Sequence, residues 1–536
     1  MKLSNRVLSS LLAMVAAGCG ANDELGGEEA ASLDSALVAP AAGVNTERVS
    51  MTSPNWTATA WQSETAGSAK DDFEYVAYNA EDTDTTHVTY PQRVERDPQN
   101  RPFVDRVVCP GTSAVGRSLW DPTDEDGWFV RRMPVPAGWA VLWGDPALSI
   151  FDGKWWVSAL ASPSDYFATR ANVTVGGKSC YRTSNYTPSG LPSGFGDTGT
   201  PLAGACVQGT TLETINAPSS VSCFRRNNGV ASATGTDFLD GGSLASCASA
   251  IYAAYEDTKS HSVAMYRRAT GQSWVAVAGD NAIPATDHPV LIEAPSYSGI
   301  WMITANGSAL TVRTHSTNGF GAATSIANDY STADVVINGG AVFRRGRAVA
   351  GIVAPNPNAL KPATWITYES QSVSPNGLVK RKQLNVMRCT TTCTFITRIG
   401  GLDPLTNRGP NAFMPAMAFT YKLVNNVATP VVGLTYFTDE GQTGNKLVLK
   451  YYAFGIAGNI RGGGPLTAPQ VACPGGGANY WGDYDGMYVK NNATAAPTFH
   501  RSFTDSTEAV CDTTTRANLD YRSQSQHVSN AYFVVP

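Results

Sequence analysis

The chain reads as all-β, a single β-propeller of about six four-stranded blades, and three observations predict it. A phrase recurs near both ends, as Trp143-Gly144-Asp145-Pro146-Ala147-Leu148 and as Trp481-Gly482-Asp483-Tyr484-Asp485-Gly486-Met487. Degenerate relatives lie between the two copies, each leading into a β-type segment. Helical periodicity is nearly absent, and short apolar runs broken by Gly, Asn and Asp turns dominate. Recurrence of one strand pattern is what a radial β-repeat fold produces.

Six blade starts follow in order. Trp143–Leu148 leads to Gly153-Lys-Trp-Trp-Val-Ser158. Asp240-Gly-Gly-Ser-Leu244 leads to Ala250-Ile-Tyr-Ala-Ala-Tyr255 and Ser262-Val-Ala-Met-Tyr-Arg267. His288-Pro-Val-Leu-Ile-Glu293 opens the clearest unit, with Gly299-Ile-Trp-Met-Ile-Thr304, an Ala-Asn-Gly-Ser turn, and the alternating Leu310–Ser316. Asn338-Gly-Gly-Ala-Val342 leads to Arg347–Val353, and Phe413-Met-Pro-Ala-Met-Ala418 to Pro430–Tyr436 and Lys446–Lys450. Trp481–Met487 leads to Thr498–Phe503. Each start opens on small or polar residues, which suit innermost strands crowded round an axis. Strands near Arg106–Val108 or Gly116–Leu119 are expected to close the ring against the last blade, removing an exposed edge.

The ends and composition bound the rest. Lys2 and Arg6 precede a small-residue and apolar run, Val7–Ala17, that is too short to span a membrane. Residues 20–70 are rich in Ala, Ser, Gly, Glu and Thr without sustained apolar period and read as a flexible tether. The organisation is then a leader at 1–19, a tether at 20–70 and the propeller at 71–536. The formal charge of −5 contains no basic block, which argues against a nucleic-acid partner.

Nine cysteines follow Cys19, as expected of an exported protein that forms disulfides. Cys389 and Cys393 could close a small loop across a strand turn, and Cys473 and Cys511 flank the last repeat and could staple it. Four others crowd between Cys180 and Cys247, where an insertion decorates the blades. Their spacings do not suit zinc, and no His pair accompanies them.

Two resemblances emerge from these residues. Ala16-Ala17-Gly18-Cys19 resembles a bacterial lipobox, in which the Cys thiol is lipidated; Ala16 stands where that pattern prefers Leu. The resemblance implies lipidation at Cys19 and, with Gly20 next, an outer-membrane lipoprotein at the cell surface. The other reading is an ordinary signal peptide and a secreted protein. The Gly-Asp-Pro and Gly-Asp-Tyr starts, Val312-Arg-Thr-His-Ser-Thr-Asn-Gly-Phe-Gly321, and Gly116-Arg-Ser-Leu-Trp-Asp-Pro-Thr-Asp-Glu-Asp-Gly-Trp128 resemble secreted sialidase-like propellers with BNR or Asp-box repeats. The strict Ser-x-Asp-x-Gly-x-x-Trp form occurs nowhere. The resemblance spans roughly residues 80–520 and implies the propeller fold.

Candidate chemistry gathers at the inner-strand starts. Asp145 and Asp483 could serve as paired carboxylates for glycoside cleavage, or each could bond the N–H groups of its own turn. Asp240 and His288 share that position, so a structural role repeated from blade to blade is the competing reading. Trp481, Tyr484 and Asp485 place a Tyr beside a carboxylate, the nucleophile arrangement that the sialidase resemblance implies. Sialidases also clamp the substrate carboxylate with three arginines, one within Phe/Tyr-Arg-Ile-Pro, and that motif is absent. Asp121, Asp124 and Asp126 form an acidic turn that could hold calcium, although the spacing is not that of an EF-hand. No Gly-x-Ser-x-Gly or His-Glu-x-x-His motif is present.

These observations leave three readings. The leading one is an exported, lipid-anchored propeller that binds glycan or another surface polymer without catalysis. The second is a glycoside hydrolase or polysaccharide lyase using axial carboxylates. The third is a structural component of a cell-envelope complex.

Overall fold

The computed structural model describes residues 239–472 with short gaps, 486–490, 494–506 and 527–535, together with separate strand segments between Thr46 and Ala233. The described residues form strands and turns, and no helix. The protein is a β-propeller.

Five blades are described with their side chains. The first comprises Leu239–Cys247, Ala250–Asp257, Ser262–Ala269 and Val275–Ala276, paired antiparallel in that order. The second comprises Val290–Ile292, Ile300–Asn306, Ala309–Ser316 and Gly319–Phe320, with Thr324–Ala327 added beside the third strand. The third comprises Val349–Ala354, Ala363–Val373, Lys380–Cys389 and Cys393–Gly400. The fourth comprises Ala412–Val424, Val427–Thr438, Lys446–Gly455 and Ile460–Pro465. The fifth comprises Met487–Lys490, Thr498–Asp505 and His527–Val534, completed by Thr46–Arg48.

Two further four-stranded sheets precede them. One runs Trp61–Lys70, Phe73–Glu81, Pro102–Asp105, Val130–Arg132. The other runs Ala147–Phe151, Lys154–Ala159, Thr187–Gly190, Glu213–Thr214. The innermost strands touch in succession round a closed ring. Trp61–Lys70 meets Ala147–Phe151, which meets Leu239–Cys247, and Met487–Lys490 returns to Trp61–Lys70.

The expected count of about six blades is therefore corrected to five blades plus two N-terminal sheets. Two sequence features hid the arrangement. Trp61–Lys70 is an inner strand, yet its Ala, Ser, Gly and Thr composition reads as tether. Thr46–Arg48 also lies in that stretch and forms the edge of the fifth blade, through Thr46↔Ala531 and Arg48↔Ser529. The folded part thus reaches back into residues 20–70. Ring closure falls to Thr46–Arg48, whereas Arg106–Val108 and Gly116–Leu119 lie outside the described residues. Asn338–Val342 is not an inner-strand start either: Gly340–Val342 pairs with Val335–Ile337, and the inner strand begins at Val349.

Packing explains the composition. A strand with a blade on either side is buried on both faces, so it needs a continuous apolar run instead of alternation. Ala250–Tyr255 is buried throughout, whereas the outermost strand Cys393–Gly400 is largely open. Blades converge towards the axis, and small residues let them approach. A Cβ on Gly351 would lie 2.6 Å from Ile292 Cδ1 of the neighbouring blade, and one on Gly433 would lie 2.8 Å from Met487 Cε. Further out, aromatic rings fill the wider gaps: Tyr451 stacks on Phe533 at 4.1 Å between the fourth and fifth blades. The Cys389–Cys393 disulfide forms across its hairpin, with the Cα atoms 3.9 Å apart. Cys473 and Cys511 lie outside the described residues.

Candidate functional site

The starts of the inner strands form one rim of the ring, and the charged groups described there are tied into the fold. Asp240 stands on the first blade's inner strand opposite Glu256, just before a bulge to Ser243. His288 is half-buried, and its backbone N–H donates to Asp287 Oδ1 at 2.8 Å. The Tyr330 hydroxyl donates to Asp287 Oδ2. The acid that organises this turn is therefore Asp287, beside the residue that sequence singled out. Asp145, Trp481, Asp483, Tyr484, Asp485, the acidic turn at Asp121, Asp124 and Asp126, and Cys19 lie outside the described residues.

The best-defined rim feature went unnoticed in the sequence. Met414 has φ of 50°, a left-handed conformation that is costly for a residue with a Cβ, within a bulge between Phe413 and Ala416. Its N–H donates to Glu369 Oε1 at 2.8 Å, from the third blade. Its carbonyl accepts from Arg501 Nη2 at 3.1 Å, from the fifth blade. Arg501 Nη1 also donates to Thr435 Oγ1 at 3.1 Å. Glu369 pairs with Lys382 Nζ at 3.4 Å, both side chains being buried. Lys382 Nζ donates to the Ser331 carbonyl at 2.5 Å. Asn411 holds the same strand entry by donating its N–H and Nδ2 to Asp439 at 2.6 and 2.8 Å. One strained peptide is thus gripped from both neighbouring blades by buried charges.

A second arrangement lies further along the inner strands. Glu293 directly follows the second blade's inner strand, Val290–Ile292. Its Oε1 accepts from the buried Ser149 hydroxyl and from Ser246 Oγ at 3.4 Å, and its carboxylate also accepts from the Ser246 backbone N–H. These partners stand on the two preceding inner strands, and Leu291 N–H donating to Ser243 Oγ at 2.9 Å fixes their register. Burial raises the Glu293 carboxyl above the ordinary glutamate range, while the hydrogen bonds from Ser149 and Ser246 pull it back. The residue is nevertheless exposed to solvent.

The first and second blades also enclose His315, buried at 5% exposure, with neither ring nitrogen hydrogen-bonded. It lies edge-on to Tyr252 at 5.2 Å and to Phe320 at 4.7 Å. Burial, and then the nearby Arg267 charge, lower its pKa below the ordinary histidine value. Among the described residues, no group of three or more His, Cys, Asp or Glu side chains could hold a metal ion.

No family model matches this chain, and no curated protein matches it. Several solved structures resemble it at low similarity. AofleA from Arthrobotrys oligospora is 10% identical, with 73% of this chain and 89% of that chain covered and a TM-score of 0.34. A mutant Trypanosoma rangeli sialidase displaying trans-sialidase activity is 9% identical, covering 78% and 59%, at 0.33. Penicillium chrysogenum alpha-L-arabinanase, complexed with arabinobiose, is 10% identical, covering 53% and 90%, at 0.26. Similarity at this level assigns neither ligand nor residue roles to this chain.

Proposed function

We propose that this chain is an exported β-propeller, attached to the outer membrane through lipidated Cys19, that binds glycan or another surface polymer without cleaving it. One observation carries the non-catalytic part: the described rim carboxylates are engaged by the fold. Glu369 holds Lys382 and the Met414 N–H, Asp439 holds Asn411 twice, and Asp287 holds Tyr330 and His288. Glycoside cleavage needs two carboxyl groups about 5–9.5 Å apart and able to exchange protons with substrate. Carboxylates that fix strand entries are poorly suited to that work.

The test is incubation of the protein with a glycan library, with mass spectrometry scoring retained and cleaved glycans. Retention without cleavage is the expected result. Cleavage that disappears in Asp145→Ala or Asp483→Ala would make the protein a glycoside hydrolase or lyase. A second reading, a component of an envelope complex, draws support from two apolar side chains on neighbouring turns of the rim, Leu378 and Leu405, exposed at 82% and 91%. Neither retention nor cleavage would favour that reading.

A further inference from the structure

We infer that the face of the ring opposite the rim docks on an anionic phospholipid surface, through the far ends of the third, fourth and fifth blades. The inference adds a docking face to the lipid attachment proposed above, and its test does not depend on that attachment.

The argument begins with strand direction. Each inner strand starts at the rim, so the hairpins that join a blade's first strand to its second, and its third to its fourth, turn at the opposite face. In the third to fifth blades that face comprises residues 354–363, 387–395, 421–430, 453–462, 488–498 and 531–536. These segments hold five basic residues, Lys361, Arg388, Lys422, Arg461 and Lys490, and no Asp or Glu. The described carboxylates of the same blades, Glu369, Asp403, Asp439, Glu440 and Asp505, stand on the rim side. There Glu369 pairs with Lys382, and Glu440 with Lys450. Charge is therefore sorted along the ring axis.

Contacts join the basic segments into one surface. Arg388 Nη1 donates to the Ile456 carbonyl at 3.1 Å, linking the third blade to the fourth. Lys422 Nζ donates to the Val535 carbonyl at 3.2 Å, and the Leu423 N–H to the Thr494 carbonyl at 2.8 Å, linking the fourth to the fifth. An ammonium has three donors and a guanidinium five, so one carbonyl orients each head group and leaves donors for an anion.

Large apolar side chains are exposed between these cations. Val427 is 65% exposed, Ile460 55%, Phe395 51% and Val534 49%. Val427 follows a two-residue hairpin turn, Asn425-Asn426, whose φ angles of 50° and 66° match the twist of the flanking strands and fix the tip. Cations without carboxylates, interleaved with single apolar side chains, match a bilayer interface, where phosphates lie above the acyl boundary. The chain also enters from this side. Thr46 pairs with Ala531 and Arg48 with Ser529, so that strand runs from the far face towards the rim. The connection to Cys19 therefore leaves the fold at the end that carries the cations. Docking there would turn the rim away from the membrane.

The test is sedimentation of the mature chain, from Cys19 onward and carrying C19S to exclude an acyl group, with vesicles. One set is phosphatidylcholine alone, and the other is phosphatidylcholine and phosphatidylglycerol in equal parts. The inference expects at least about tenfold tighter binding to the anionic vesicles, weakening as salt rises. K361E and T391E place negative charge at exposed positions of the docking face, and should weaken binding about tenfold and about fivefold. K380E and R408E alter exposed rim residues and should leave it within about twofold. Circular dichroism confirms that each variant is folded. No binding to anionic vesicles, or equal binding to neutral ones, would overturn the inference. So would K361E and T391E proteins that bind like the unaltered chain, or rim variants that weaken binding as much. Lipidation at Cys19 is read separately from the mass of the chain isolated from cells, and glycan retention from the library, so failure here leaves the proposed function standing.

Discussion

Glu369 and Glu293 both lie near the inner strands, and their surroundings give them opposite roles. Glu369 is buried beside Lys382 and accepts the Met414 N–H, so its charge is matched and its position holds a strained peptide. Glu293 is exposed, and its Oε1 accepts from the Ser149 and Ser246 hydroxyls of two neighbouring inner strands, with no cation paired to it among the described residues. The first carboxylate joins the third and fourth blades. The second ties the second blade to the two sheets before it through neutral donors. Similar chemistry on the same ring is therefore matched by a cation at the rim and by neutral donors at the far end of the inner strands.

The largest expected effect breaks the rim side. E369A leaves a buried Lys382 ammonium and a buried Met414 N–H without their partner, and should cost about 3–5 kcal/mol in denaturant unfolding. A cost near zero would mean that the rim charge is dispensable. Replacing both charges with apolar side chains, as E369L with K382M, should recover part of the loss, which separates the ion pair from its desolvation cost. Next comes the third blade's hairpin. Removing the Cys389–Cys393 link, which spans a sequence separation of 4, should cost at most about 2 kcal/mol, because so short a loop restricts the unfolded chain little.

Glu293 should respond in the other direction. The Glu293 carboxyl is raised in the folded state, so the ionised group costs stability at neutral pH. E293Q should raise the thermal midpoint at pH 7. For the unaltered chain, this penalty should fade as the pH drops through the raised folded value, and be gone below the unfolded value of about 4.3. A lower midpoint in E293Q would contradict a desolvated carboxylate. His315 supplies a smaller effect of opposite sign. Its folded pKa is lowered, so the neutral ring's contribution is present above the unfolded value of about 6.5 and is lost as the pH falls through the folded value. H315F should flatten that acidic limb in a series of thermal melts, and an unchanged limb would place the titrating group elsewhere.

Much of the ring was legible because an inner strand has a local signature: a small or polar start, then an apolar run. Asp240, His288, Phe413 and Met487 all mark true entries. Trp61–Lys70 was not legible, since the small residues that suit the axis also characterise a tether. Only in the folded ring does Gly67 lie against the Tyr488 ring, where a Cβ would come within 2.7 Å. The Met414 grip was invisible for a different reason. Its partners are 45 and 87 residues away and come from other blades. A charged residue inside a buried strand, such as Glu369 after Thr364-Trp-Ile-Thr-Tyr368 or Arg501 between Phe499 and Phe503, was the available signal. Glu293 stood in a quoted strand, but nothing local distinguishes its carboxylate from an ordinary strand end until Ser149 and Ser246 come alongside.

The most direct test of the central claim is a crystal structure of the protein with a neutral oligosaccharide that it retains. The account predicts an intact sugar bound to the ring with the Glu369–Lys382 pair undisturbed. A sugar found cleaved, or one that displaces Lys382 from Glu369, would contradict it.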